Sequence, residues 1–215
     1  MKTFLLCLLA LIPSVALGQV QPAPGTLPNE PNWTFELDIC GSEYNYIQAN
    51  INYLFLQEFA PKVSQRYNEL YILKEVSLPL ALDLLQVEID ALDNCLPICI
   101  VGQNKQAYQD MAAMFENRYC ELLARDHDWD GIAARIDQLT VDFQNRPARQ
   151  DAGFCQWWGA WSSKVADARR DLIKLGQDIT NDLTSAKMLL AEIESMDNFL
   201  KNHSCEPQAL PIPKF

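Results

Sequence analysis

Between Trp158 and Leu200, apolar residues return at alternating steps of three and four. One set is Trp158, Val165, Leu172, Ile179, Ala186, Ile193 and Leu200; the interleaved set is Trp161, Ala168, Leu175, Asp182, Leu189 and Met196. Residues three and four apart stack on one side of a helix, so the pattern predicts one helix with a single apolar seam. At 1.5 Å per residue it would span roughly 60 Å unbroken, so it must lie along other helices and not inside a compact core. Gly176 and Asp182 interrupt the seam and mark where such a helix would bend. Asp182 either accepts a hydrogen bond or salt bridge from a facing helix, or the helix rolls so that Leu183 is buried in its place; the roll is the simpler expectation.

The preceding chain offers shorter stripes. After Ser42, a candidate N-cap, Tyr44, Ile47, Ile51, Leu54 and Phe55 recur at helical spacing. Pro61 either kinks that helix or starts a new one, and Val63, Tyr67, Leu70 and Leu73 continue the stripe. Ser77 is a candidate cap for a further helix with Pro79 in its first turn, carrying a second seam of Leu78, Leu82, Leu85, Ile89, Leu92 and Leu96. Helices are also predicted over 103–125 and from Ile132 to Phe143. Trp33, Phe35, Leu37 and Ile39 alternate with polar residues into Cys40, as a short strand-like segment would. Short connections favour antiparallel neighbours, so the expected fold is all-α: an elongated antiparallel bundle of about five helices with a long C-terminal helix, stapled by disulfides.

The first residues, MKTFLLCLLALIPSVALG, read as a signal peptide over 1–18: a basic start at Lys2, a short apolar run, and small residues before a cleavage site after Gly18. A Pro-rich arm over 19–41, a helical body over 42–203 and a Pro-rich tail over 204–215 complete the expected organisation. No other stretch has the roughly 18 unbroken apolar residues a membrane span needs, so the expected location is secreted, extracellular. Removing the signal takes one of the 17 basic residues and none of the 28 acidic ones, leaving a net charge of −12 (16 − 28). That balance argues against nucleic acid or an anionic membrane as partner and is compatible with cationic partners.

Outside the leader six cysteines remain: Cys40, Cys95, Cys99, Cys120, Cys155 and Cys205. An even number in an oxidising compartment reads as three disulfides. If the last helix is unbroken, Cys155 and Cys205 sit near its opposite ends, roughly 70 Å apart, and bridged Cα atoms lie within about 7 Å, so each must pair elsewhere. Cys95 or Cys99 could reach Cys120 or Cys40. Asn32 and Asn202 begin sequons and are the expected glycosylation sites, both placed outside the helical body.

The sharpest local pattern is Asp126-His127-Asp128-Trp129-Asp130-Gly131 with Asp137 beyond it. It resembles the calcium loop of the EF-hand, whose first, third, fifth and twelfth positions correspond to Asp126, Asp128, Asp130 and Asp137. The departures are an aspartate at the twelfth position, Ala134 at the ninth and only Ala133 at the apolar eighth. The competing expectation is that these acids cap and charge the N-terminus of the following helix. Trp157, beside the seam, is a candidate contact residue, whereas Phe154, Trp158 and Trp161 belong to the core.

Catalysis has little support. His127 and His203 are the two histidines, the cysteines are accounted for as disulfides, and no nucleophile elbow, zinc-protease, phosphate-loop or dinucleotide motif occurs. No enzymatic activity and no cofactor other than calcium is expected. The expected function is that of a secreted, non-enzymatic helical glycoprotein that binds an extracellular partner, such as a receptor, a matrix component or another secreted protein. The alternative is a carrier of hydrophobic ligands or a membrane-active helical protein, with the leucine-rich 78–96 helix as its mobile element. A third is an acidic, calcium-linked matrix protein.

Overall fold

A computed structural model describes residue 40, residues 43–95 and residues 104–203. The long seam is a single helix in it, α5 (Phe154–Asn202), and all thirteen seam positions are buried. Neither Gly176 nor Asp182 ends the helix. Asp182 and Leu183 are both buried, so the helix does not roll to exchange one for the other.

The other helices are α1 (Glu43–Ile72), α2 (Leu78–Ala91), α3 (Lys105–Leu123) and α4 (Trp129–Gln144). A π-helical turn, Leu73–Ser77, joins α1 to α2, and a 3-10 turn, Leu92–Cys95, follows α2. These pieces run on without a gap, so the described residues form four helical stretches and contain no strand. Pro61 is exposed and lies inside α1, so of its two expected roles it does not start a new helix. One expectation is corrected here. Ser77 is not a cap: its backbone is helical (φ −73°, ψ −46°) and its side chain makes no capping bond.

Pro79 accounts for the π turn. In a regular α-helix its ring would clash with the carbonyl of Glu75, four residues back, and its missing N–H would break the ladder. Widening the turn relieves that clash, and the Leu78 N–H bonds to the Leu73 carbonyl, five residues back. The next bond of that pattern would run from residue 79 to the Lys74 carbonyl, and proline has no N–H to supply it. The Tyr119 hydroxyl supplies it instead, donating to Lys74 O at 2.9 Å.

The chain divides into two compact units, and both α1 and α5 contribute to each. The first comprises Met1–Gln65 and Asp128–Gln177. Here α1 and α5 run in the same direction, since Asn52 meets Arg169 and, further along both helices, Val63 and Phe59 meet Gly176. The antiparallel partner of α5 is α4, whose Leu139 carbonyl accepts from Trp161 Nε1 at 3.0 Å and whose Arg135 pairs with Asp171. The expectation of antiparallel neighbours therefore fails for α1 and α5: they are far apart in the sequence, and the rule applies to helices joined by short connections. Tyr53, Phe143, Phe154, Trp158 and Trp161 fill the core with contacting rings. Cys40 is bonded to Cys155 with Cα atoms 5.2 Å apart, which ties the residues before α1 to the start of α5.

The second unit comprises Arg66–His127 and Asp178–Phe215. Here α2 and α3 are antiparallel, with Lys74 beside Tyr119 at one end and Asp93 paired to Lys105 at 2.6 Å at the other. α3 also runs against α5, through Tyr108 with Phe199 and Arg118 with Glu192. Lys187 of α5 pairs with Glu69 of α1.

Gly176 explains itself in the first unit. A Cβ there would lie 3.0 Å from Val63 Cγ2 and 3.2 Å from Phe59, and Val63 is wholly buried and stiff at χ1. Gly176→Leu is expected to lose about 1–3 kcal/mol by overpacking. Gly176→Ala is expected to stay near neutral, because the helix-propensity gain of about 1 kcal/mol offsets the tight contact. Urea unfolding measures both, and a Leu variant as stable as the parent would refute the close approach.

Candidate functional site at the Asp182 cluster and the outer face of helix α2

Helix α3 ends at Leu123, and five residues later Asp128 caps α4. The connecting turn is held by one carboxylate from α5. Arg125 Nη1 lies 2.6 Å from Asp182 Oδ1 and His127 Nε2 lies 3.0 Å from Asp182 Oδ2, so both oxygens of the buried carboxylate are engaged. The His127 side chain is as buried as that of Asp182, while Arg125 is half exposed. Lys74, from the π turn, donates to the Arg125 carbonyl at 2.9 Å. Burial pushes the Lys74 ammonium below its ordinary value, and the nearby charges of Asp182, Glu75 and Asp126 oppose that shift.

A carboxylate in an apolar seam must be met by cations or strong donors, and two alternate positions of the turn, Arg125 and His127, bring them. His127 and Asp182 together have the form of a base with its orienting acid. The hydrogen bonds of His127 are to Asp182 from the ring and to Asp126 from its backbone N–H, so the pair fixes the turn. Sequence reasoning treated His127 as a member of the Asp-rich loop and missed this contact. Its signal was a lone acid in a seam and a histidine in a tight turn, but nothing in the spacing joined them.

The Asp-rich loop takes the form of a helix start. Asp128 Oδ1 accepts from the Gly131 N–H at 3.0 Å, the N-cap bond. Asp130 and Asp137 lie on α4 itself, exposed, and Asp126 binds the His127 N–H. From its fourth position onward, the twelve-residue span that an EF-hand would shape as a loop is α-helix. Gly131 leaves room for the cap, since a Cβ there would fall 2.3 Å from Asp128 Oδ2. Among the described residues no group of three His, Cys, Asp or Glu side chains is arranged to hold a metal ion.

Of the remaining predicted sites, Trp157 is half-buried and stacks on Trp161 with centroids 5.7 Å apart, so it belongs to the aromatic core on at least one face. Cys155 is bonded to Cys40, and Cys120 is also disulfide-bonded. Cys95 ends the 3-10 turn; Cys99, Cys205 and Asn32 lie outside the described residues. Asn202 is the last residue of α5 and exposed, within the helix and not beyond it as expected.

A second feature of the same unit was not anticipated. Leu78, Leu82, Leu85, Ile89 and Leu92 of the predicted seam are buried, with Ala81 beside them, and Leu96 lies outside the described residues. The opposite side is apolar too: Ile72, Val76, Leu80, Leu84 and Val87 are between 45 % and 62 % exposed. At about 100° per residue, Leu80, Leu84 and Val87 point roughly 180–240° away from Leu78. The spacing 76, 80, 84, 87 carried this signal in the sequence, overshadowed by the stronger seam. Helix α3 adds exposed Met111 and Met114. No helix among the described residues is long and apolar enough to cross a membrane.

Comparisons of the chain with known protein families, with characterised proteins and with solved structures find no match.

Burial raises the Tyr119 phenol from its ordinary 10.0 to about 12, with the Glu75 charge adding to the shift. A folded pKa above the unfolded one means that the stability tied to the neutral phenol is intact below about pH 10 and is lost as pH rises to about 12. Tyr119→Phe is expected to cost about 1 kcal/mol at neutral pH, from the lost bond to Lys74 O, and to flatten the alkaline decline. Urea midpoints from pH 8 to 12 measure this; a phenol titrating near its ordinary value would contradict it.

Proposed function

We propose that this protein is a secreted, non-enzymatic, disulfide-stapled helical bundle, glycosylated at Asn32 and Asn202, that acts by binding an extracellular partner protein. The observation that supports this most is the outer face of α2. A helix that is apolar on both sides is ordinarily buried on both, and a contiguous exposed apolar stripe marks an interaction surface. The composition is in keeping with export: a leader-like start, an even set of remaining cysteines and a strongly acidic chain. On this reading the Asp182 cluster is supporting structure. It fixes the turn beside the π segment, and the π segment sets the rotation at which α2 presents its outer face.

The test uses the secreted, oxidised protein and a variant with Leu80→Gln and Leu84→Gln, both exposed positions whose replacement leaves the core intact. Immobilised parent protein is expected to retain a stoichiometric protein partner from extracellular fluid of the source tissue, and the variant to retain less than a tenth as much. Equal retention by the two proteins would remove the α2 face from the account. Mass analysis of the native protein that finds a tightly held lipid instead would favour the hydrophobic-carrier alternative.

A further inference from the structure

The outer face of α2 has a charge pattern as well as an apolar stripe. Between Glu75 and Asn104 the chain contains Glu75, Asp83, Glu88, Asp90 and Asp93 and not one lysine or arginine. Asp83 and Asp90 border the stripe on one side, roughly 60° from its centre, and Glu88 borders it on the other. Asp93 is answered by Lys105, and Glu88 lies within the electrostatic reach of Lys201. Asp90 accepts from Gln86, a neutral donor, at 2.8 Å. The Asp83–Asp90 border thus keeps its negative charge beside an exposed apolar row.

We infer that this face docks a cationic amphipathic helix of a partner protein, with the partner's apolar row on Val76, Leu80, Leu84 and Val87 and its lysines or arginines along Asp83 and Asp90. Rows of side chains at steps of three and four form ridges and grooves that match those of another helix, so a helical segment fits better than a strand. The stripe from Ile72 to Ala91 is about 28 Å long, enough to seat a helix of roughly 20 residues. Charge selects among the occupants. A second copy of this acidic chain, or an anionic bilayer, would set like charges against Asp83 and Asp90, whereas a basic helix gains from both. The inference rests on the partner-binding reading above and adds the partner's chemistry to it.

The test titrates the full oxidised protein with two synthetic helical peptides of identical leucine spacing, one with lysine and one with glutamate at the polar positions. Calorimetry is expected to show binding of the lysine peptide and at least about tenfold weaker binding of the glutamate peptide. Leu84→Gln with Val87→Gln is expected to weaken the lysine peptide about tenfold without any change of charge. Asp83→Asn with Asp90→Asn is expected to weaken it and to flatten its salt dependence. Helical circular dichroism confirms that the variants, all on the exposed side, stay folded.

Equal binding of the two peptides, insensitivity to the glutamine pair, self-association through the same residues, or tighter binding to phosphatidylcholine vesicles would each overturn the inference. If the lysine peptide fails to bind while the α2 variants still lose the native partner, the proposed chemistry is wrong and the partner-binding reading stands. If the variants keep the native partner, the reading of this face falls with it.

Discussion

The seam of α5 is the constraint on which the rest of the molecule is built. An apolar row of that length cannot be covered by any one of the shorter helices, and its residues are nonetheless dry from Trp158 to Leu200. In the first unit α1 and α4 lie against it, running with it and against it respectively. In the second, the end of α1 and the antiparallel α3 take those places. The disulfide from Cys40 to Cys155 fixes the start of α5 to the residues before α1.

A carboxylate at the middle of such a row would be expected to destabilise it, and the structure answers with two partners from one turn. Arg125 and His127 occupy both oxygens of Asp182, and Lys74 closes over the Arg125 carbonyl. Removing one member would strand charge in a dry place, so breaking such a cluster is costly even where its net contribution to stability is small. Near this turn the π segment compensates for Pro79 by borrowing the Tyr119 hydroxyl. Three local departures from regularity, at Asp182, Pro79 and the α3–α4 turn, are thus resolved in one neighbourhood.

Much of this was legible in the sequence where periodicity carried it. The α5 seam, the inner seam of α2 and the stripe of α4 all follow from residues three and four apart, because burial selects such rows directly. The Asp128 cap was one of the two readings open for the Asp-rich stretch, and its hydrogen bond to the Gly131 N–H is formed. What depended on distant partners was not legible. Asp182 with His127, Tyr119 with Lys74 O and the parallel run of α1 and α5 join residues 45 or more positions apart. Pro79 looked like a helix start because proline is tolerated there, and a π turn has no sequence signature of its own. The outer stripe of α2 was present in the spacing, but only its exposure in the folded chain separates a second buried seam from an open one.

The central claim is that α5 buries its seam against helices of the same chain and not against a second copy. Sedimentation equilibrium combined with far-ultraviolet circular dichroism over a thousandfold dilution tests it most directly. The account predicts a monomer whose helix content and thermal midpoint do not change with concentration. A dimer that loses helix as it dissociates would contradict it, because the seam would then need the partner chain to stay dry.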